Sequence, residues 1–196
     1  MVDNGKSIND TYTSKETIEN INNQVQMKEV MFSQTPERYA LKSIMSGFLL
    51  AIVTVFMLGI KTQFAGTNEG LVNLMGAISF SLALVLIVLT NSELLTSNFM
   101  YLTVGWYYKI IGMNKALGIM LVCFLFNIIG GFILFALMKF TPIMTPEMIS
   151  SLTSMVDGKT IDSSWYAILV KAIFCNFFIN IGIYVSIQFK DGLSKA

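Results

Sequence analysis

Four stretches of this chain are apolar for about as long as a bilayer is thick, and any fold must be built around them. A helix rises about 1.5 Å per residue, so crossing ~30 Å of hydrocarbon takes about 20 apolar residues. Residues 39–60, 71–90, 116–138 and 165–189 meet that length. Lys42 lies near one end of the first stretch and Lys61 just past the other, while Lys171 is the single cation inside the last. The two stretches between them hold no charge at all. The balance of the chain agrees, because 13% of its residues are charged, against roughly 25% in a soluble domain. With 13 Lys+Arg against 12 Asp+Glu there is no cationic surplus to hold a polyanion, which argues against nucleic acid as a partner. Histidine is absent, and Cys123 and Cys175 both sit inside apolar runs. That leaves no zinc ligand set, no disulfide scaffold and no ready general base, so an enzyme is the weakest reading and no metal or cofactor is expected.

The chain divides into a polar N-terminal segment, residues 1–35, and a transmembrane region, residues 36–196. The first segment has no early apolar core behind a basic flank and so does not read as a signal peptide. Thr13 and Glu16 have capping-box spacing, and Ile18, Ile21, Val25 and Phe32 recur at steps of three, four and seven. This predicts an amphipathic helix over 14–33 that lies against the membrane or another helix. Thr35-Pro36-Glu37 predicts a second helix start, with the hydroxyl as cap and proline in the first turn. Asn114 can cap the span that follows Gly112. In the long connection over 140–164, Thr145-Pro146-Glu147 predicts a short helix and Asp157-Gly158 a turn.

The second span does not end in an ordinary loop. Asn91-Ser92-Glu93-Leu94-Leu95-Thr96-Ser97-Asn98 is polar, carries the only acid embedded in the apolar half of the chain, and is followed by an apolar run over 99–111. That run is too short to cross alone. The spacing predicts one broken span: helix over 71–90, an irregular turn at membrane depth over 91–98, then a half-length helix. Unpaired backbone in lipid costs several kcal/mol per group, so the break must be buried in protein or line a wet cavity. Broken helices of this kind build substrate sites in transporters.

Cation placement sets the direction. With the N-terminus cytoplasmic, the inner flanks carry Lys28, Arg38, Lys42, Lys109, Lys115, Lys190 and Lys195, and the outer flanks Lys61, Lys139 and Lys159. This asymmetry follows the positive-inside rule and predicts four crossings of an inner or plasma membrane with both termini inside.

These elements and two local motifs resemble the formate/nitrite transporter family of pentameric anion channels. The segment from Phe80-Ser81-Leu82 through Asn91-Ser92-Glu93-Leu94-Leu95-Thr96-Ser97 is similar to that family's second helix running into its re-entrant loop. Ala172-Ile173-Phe174-Cys175-Asn176-Phe177-Phe178 is similar to its fourth-helix motif, and Asn127 with Gly130 fits its third helix. Asn91 stands where glycine is usual, Leu95 where an aromatic is usual, and Ile179-Asn180 where Val-Cys is usual. The resemblance implies an all-α membrane protein, an aquaporin-like helical bundle with a broken second helix. About four of the family's six spanning elements are present, so the chain reads as C-terminally truncated, with the family's pore histidine placed beyond Ala196. It further implies a homopentamer, with one pore per protomer, passing a small anion of the formate, nitrite or hydrosulfide class.

By the same resemblance Phe80, Leu84, Leu94, Leu95, Thr96 and Ile179 line the pore and its constrictions. Phe80 and Leu84 lie four apart on one helix face, which ordinary packing also explains. An apolar constriction obstructs a bare anion and lets the neutral acid through. Thr96 either bonds the pore histidine or caps the half-helix. Glu93 is a functional intramembrane acid, or else accepts backbone N–H groups of the turn or faces a neighbouring subunit. Lys159 is the vestibule cation that gathers anions, or a solvated loop lysine beside Asp157. Lys171 snorkels outward or faces the pore. Asn127 and Asn176 are polar supports bonding helix to helix, and Gly76, Ser79, Ala83, Gly130 and Gly131 are close-packing positions. The function expected is therefore a channel for small monovalent weak-acid anions. The competing reading is a four-span structural or assembly protein without a pore, in which Glu93 is open to aqueous reagents.

Overall fold

The computed structural model describes residues 15–188, so Thr13 of the expected capping box, Phe189, Lys190 and Lys195 lie outside the described residues. Among the described residues seven helices follow one another: α1 (Lys15–Gln34), α2 (Pro36–Gln63), α3 (Glu69–Leu89), α4 (Leu95–Tyr107), α5 (Met113–Met138), α6 (Pro146–Thr160) and α7 (Trp165–Gln188). No strand occurs among the described residues. Four of the helices are long and apolar enough to cross a membrane: α2, α3, α5 and, over Trp165–Ile187, α7.

The helix starts show which local signals decided them. Thr35 is the N-cap of α2 and Pro36 its first residue, but the Thr35 hydroxyl donates back to the Met31 carbonyl at 3.3 Å and does not cap. Gly112, in extended conformation, occupies the N-cap of α5, so Asn114 falls inside the helix and caps nothing. Thr145 does cap α6, accepting from the Met148 N–H at 3.4 Å. Its hydrogen bond to the Glu147 carboxylate also holds that acid below its ordinary pKa. The turn expected at Asp157-Gly158 is absent, because α6 continues through both residues to Thr160. One glycine costs a helix only about 1 kcal/mol, less than the continuing ladder returns.

Helices α2 and α5 approach to backbone contact at two glycines. A Cβ built on Gly47 would fall on the backbone carbonyl of Asn127, and one on Gly130 would fall on the backbone carbonyl of Ile44. Backbones approach this closely only across residues without side chains, the usual device of helix pairs in lipid. Gly76 packs against the aliphatic stem of Lys61, a side-chain contact, with Ser79 and Ala83 buried beside it. Gly131 does not close-pack: nothing lies within 4 Å of its Cβ position, since it faces a groove and not a helix.

The main core gathers Val25 of α1, Tyr39 of α2, Leu102 of α4 and Ile119 and Cys123 of α5, all fully or almost fully buried. A second cluster, Met57, Leu58 and Met148, seats α6 on the far end of α2. Helix α7 adds only Ile183 to the core, and 6% of its spanning window is buried.

Candidate functional site: a buried break in the second span

The break starts with a helix ending that the local sequence explains. Asn91 adopts φ 50°, the left-handed region that asparagine tolerates better than most residues and that glycine adopts freely. The Asn91 N–H then bonds the Val88 carbonyl at 3.2 Å and the Ser92 N–H bonds Ile87 at 3.1 Å. This pair of bonds is the Schellman closure, which satisfies the last carbonyls of α3. Asparagine at 91 therefore does by conformation what glycine would do there.

The next backbone groups are satisfied from other helices. The Glu93 N–H donates to the Lys42 carbonyl of α2 at 3.1 Å. The Asn127 amide of α5 donates to the Glu93 carbonyl at 2.9 Å and to the Ser43 carbonyl at 2.8 Å. Its oxygen accepts the first N–H of α4, from Leu95, at 3.1 Å. The Cys123 thiol adds a bond to the Glu93 carbonyl at 3.4 Å. One side chain thus ties α2, the break and the start of α4 together, as irregular backbone at membrane depth requires. We expect Asn127→Leu, which leaves the Glu93 and Ser43 carbonyls and the Leu95 N–H without that partner, to cost about 2–3 kcal/mol. Thermal unfolding in detergent reads this loss.

The break is shorter than the sequence predicts. Leu94, extended, is the N-cap of α4. Its carbonyl accepts from the Asn98 N–H at 3.0 Å and the Ser97 hydroxyl at 2.8 Å. Thr96, Ser97 and Asn98 are therefore the first turn of a helix that starts at 95 and ends at 107, and not the loop of an element over 99–111. Thr96 consequently caps nothing, and its hydroxyl oxygen is buried without a hydrogen-bond partner. Asn98, wholly buried, donates to the Tyr39 hydroxyl at 3.0 Å, which donates in turn to the Ile119 carbonyl.

Glu93 itself is 4% exposed. Its carboxylate neither holds the turn's N–H groups nor meets water. It accepts from the Lys28 ammonium of α1 at 2.5 Å, with Lys28 5% exposed and its ammonium 5.0 Å from the centre of the Tyr101 ring. A surface hairpin would leave this acid in solvent, so the burial counts against the pore-free reading.

With this arrangement in place, the likeness to known proteins becomes decisive. The formate/nitrite transporter family model matches residues 15–196. The chain belongs to the formate/nitrite transporter family. It is 27% identical over 158 residues to the formate channel FocA of Haemophilus influenzae, covering 80% of this chain and 55% of that protein. It is 28% identical over 146 residues to a probable formate transporter of Methanothermobacter thermautotrophicus, covering 67% and 53%. The chain thus spans about half the length of these two relatives. A solved FNT family ion channel superposes with a TM-score of 0.79 at 19% identity, over 92% of this chain and 72% of that one. Their shared fold is that of an FNT channel, and the family is one of membrane transporters, not enzymes.

Among the residues implied to line a formate/nitrite transporter pore, the structure brings some together and not others. Leu84 and Ile179 both pack against the core that holds α4, with Leu95 beside them. A Cβ on Gly182 would come within 2.8 Å of Leu84 Cδ2, so α3 and α7 meet here. Leu94 is 7% exposed and faces inward, whereas Phe80 is 40% exposed. Asn176 bonds only the Ala172 carbonyl of its own helix, so it does not bond helix to helix as expected. Lys159 is exposed in the last turn of α6. That helix seats Met148 near Gly59, sixteen residues, or about 24 Å, further along α2 than Ser43. Lys171 reaches Ser163, in the connection before α7, at 3.3 Å, as a snorkelling cation does.

The sequence places Lys28 in the charge asymmetry of the inner flank and does not by itself show its partner. The signal was present: Lys28 lies on the stripe Ile21, Val25, Phe32, where a cation is out of place unless something buried receives it.

Proposed function

We propose that the chain forms a channel for small monovalent weak-acid anions such as formate, nitrite or hydrosulfide. The observation that supports this reading is the break at Asn91–Leu94, with Glu93 and Leu94 buried and tied by Asn127 to two neighbouring spans. Phe80, Leu84, Leu94, Leu95, Thr96 and Ile179 form its narrow, apolar part. Desolvating a bare anion there costs far more than passing its neutral acid, so protonation near the constriction governs passage. Lys159 raises the local anion concentration at the outer mouth. The N-terminus faces the cytoplasm, by the cation asymmetry, and the assembled channel is a homopentamer in the inner or plasma membrane.

Depth supports this reading. Tyr107 and Tyr108, exposed at the end of α4, are residues that settle at a membrane interface. From Tyr107 back to Leu95 is about 18 Å of helix, which sets the break past the middle of a ~30 Å core.

The test is flux into proteoliposomes that hold the full chain. Formate uptake should exceed that of protein-free vesicles and rise as the external pH falls. The double variant Phe80→Ala/Leu84→Ala should raise uptake of larger weak acids by about tenfold. No permeation of formate, nitrite or hydrosulfide by the folded protein overturns the proposal.

A further inference from the structure

Lys61 lies in the last turn of α2, yet its side chain does not leave the span. The three atoms nearest a Cβ built on Gly76 are Cδ, Cγ and Cε of Lys61, at 3.0, 3.1 and 3.7 Å. Gly76 is eight residues past Asn68, the N-cap of α3, so the contact lies about 12 Å of helix inside that span. Lys61 is half-buried, and the ion pairs among the described residues are Lys28–Glu93 and Lys115–Glu29. No carboxylate among those residues therefore neutralises its ammonium. An ionisable group at such depth needs a partner or a water-filled cavity, and the second is what remains.

We propose that Lys61 is a substrate-binding cation of the passage, holding the ionised acid at the last wet position before the constriction. The assignment rests on the channel reading above. Phe80 lies four residues beyond Gly76, so it is about 6 Å deeper and about 40° round the same helix. The Lys61 stem thus crosses α3 one turn outside the first apolar residue of the constriction. Gly76 makes this possible, because a side chain there would stand where the stem runs. A unit negative charge about 6 Å from the ammonium, in water-rich surroundings, is enriched about fivefold. Lys159, exposed on α6, acts from the surface and draws anions toward the mouth. Lys61 acts deeper, where the anion must shed its water or take up a proton.

Initial formate uptake into proteoliposomes that hold the full chain, followed against formate concentration at two ionic strengths, tests the assignment. Lys61→Gln should raise the half-saturating concentration about fivefold and leave the maximal rate unchanged. Uptake at low formate should fall with added salt in the unmodified protein, because salt screens the ammonium, and respond much less in Lys61→Gln. Lys61→Arg keeps the charge and should restore both properties. A Lys61→Gln protein with unaltered half-saturation and salt response overturns the assignment and leaves the channel reading standing, since the lysine then serves only a lipid headgroup. A fall in maximal rate alone overturns it too, as does a Lys61→Arg protein that behaves like Lys61→Gln, which would make the shape of the lysine the cause and not its charge. An unmodified protein that passes no formate overturns the channel reading and this assignment with it.

Discussion

Replacing Lys28 by methionine is expected to destabilise the protein by about 3–5 kcal/mol, the cost of stranding one charge of a buried pair. Glu93 is 4% exposed and its carboxylate accepts from Lys28. With the ammonium gone, that carboxylate is left buried without a counter-charge unless α1 and α4 part to let water reach it. The second member of the experiment separates charge from packing. Lys28→Met/Glu93→Leu removes both charges and keeps most of the volume, so it should recover most of the lost stability, as buried pairs exchanged for apolar residues commonly do. A double variant as unstable as Lys28→Met would mean that the stem of Lys28, packed beside Tyr101, matters more than its charge. Thermal unfolding in detergent of the unmodified protein, Lys28→Met, Glu93→Leu and the double variant decides between the two.

Gly47→Val should be the other severe substitution. Its Cβ would occupy the position of the Asn127 carbonyl, so the backbones of α2 and α5 must separate. Separation pulls the Asn127 amide away from Ser43 and Glu93, which it now reaches at 2.8 and 2.9 Å. Overpacking alone costs typically 1–3 kcal/mol. Loss of those bonds brings the expected total to about 4 kcal/mol or more, in the range where single substitutions prevent folding. Gly118→Val on α5, where nothing lies within 4 Å of the Cβ position, is the comparison and should express normally. Yield and monodispersity of the two variants after detergent extraction supply the measurement. Equal behaviour would mean that α2 and α5 are not held by backbone contact.

The spans were legible because lipid enforces one rule along the whole chain. Runs of about 20 apolar residues must be helices there, since every backbone group has to bond within its own segment. The break was legible for the converse reason: Asn91–Asn98 is too polar to continue a span and too close to its flanks to leave the membrane. Its limits were not. Nothing local shows that Leu94 would be the N-cap of α4, because that start depends on Asn127, 32 residues away, accepting the Leu95 N–H. Thr35 and Asn114 show the same limit at helix ends, where a hydroxyl or amide of the right type sits beside the start and caps nothing.

What the sequence determined by itself is therefore the one-dimensional part: helix identity, crossing length, the interruption after the second span and the resemblance that names the family. Tertiary structure alone decided who satisfies whom. Lys28 meets Glu93 across 65 residues, Asn127 bridges α2 and α4, and Gly131, one residue from the tightly packed Gly130, faces an open groove. Each of these depends on which face of one helix is turned toward another, and in lipid hydrophobicity scarcely distinguishes the faces. Close backbone approach and the pairing of buried polar groups set the rotation instead, and those partners become neighbours only when the helices pack.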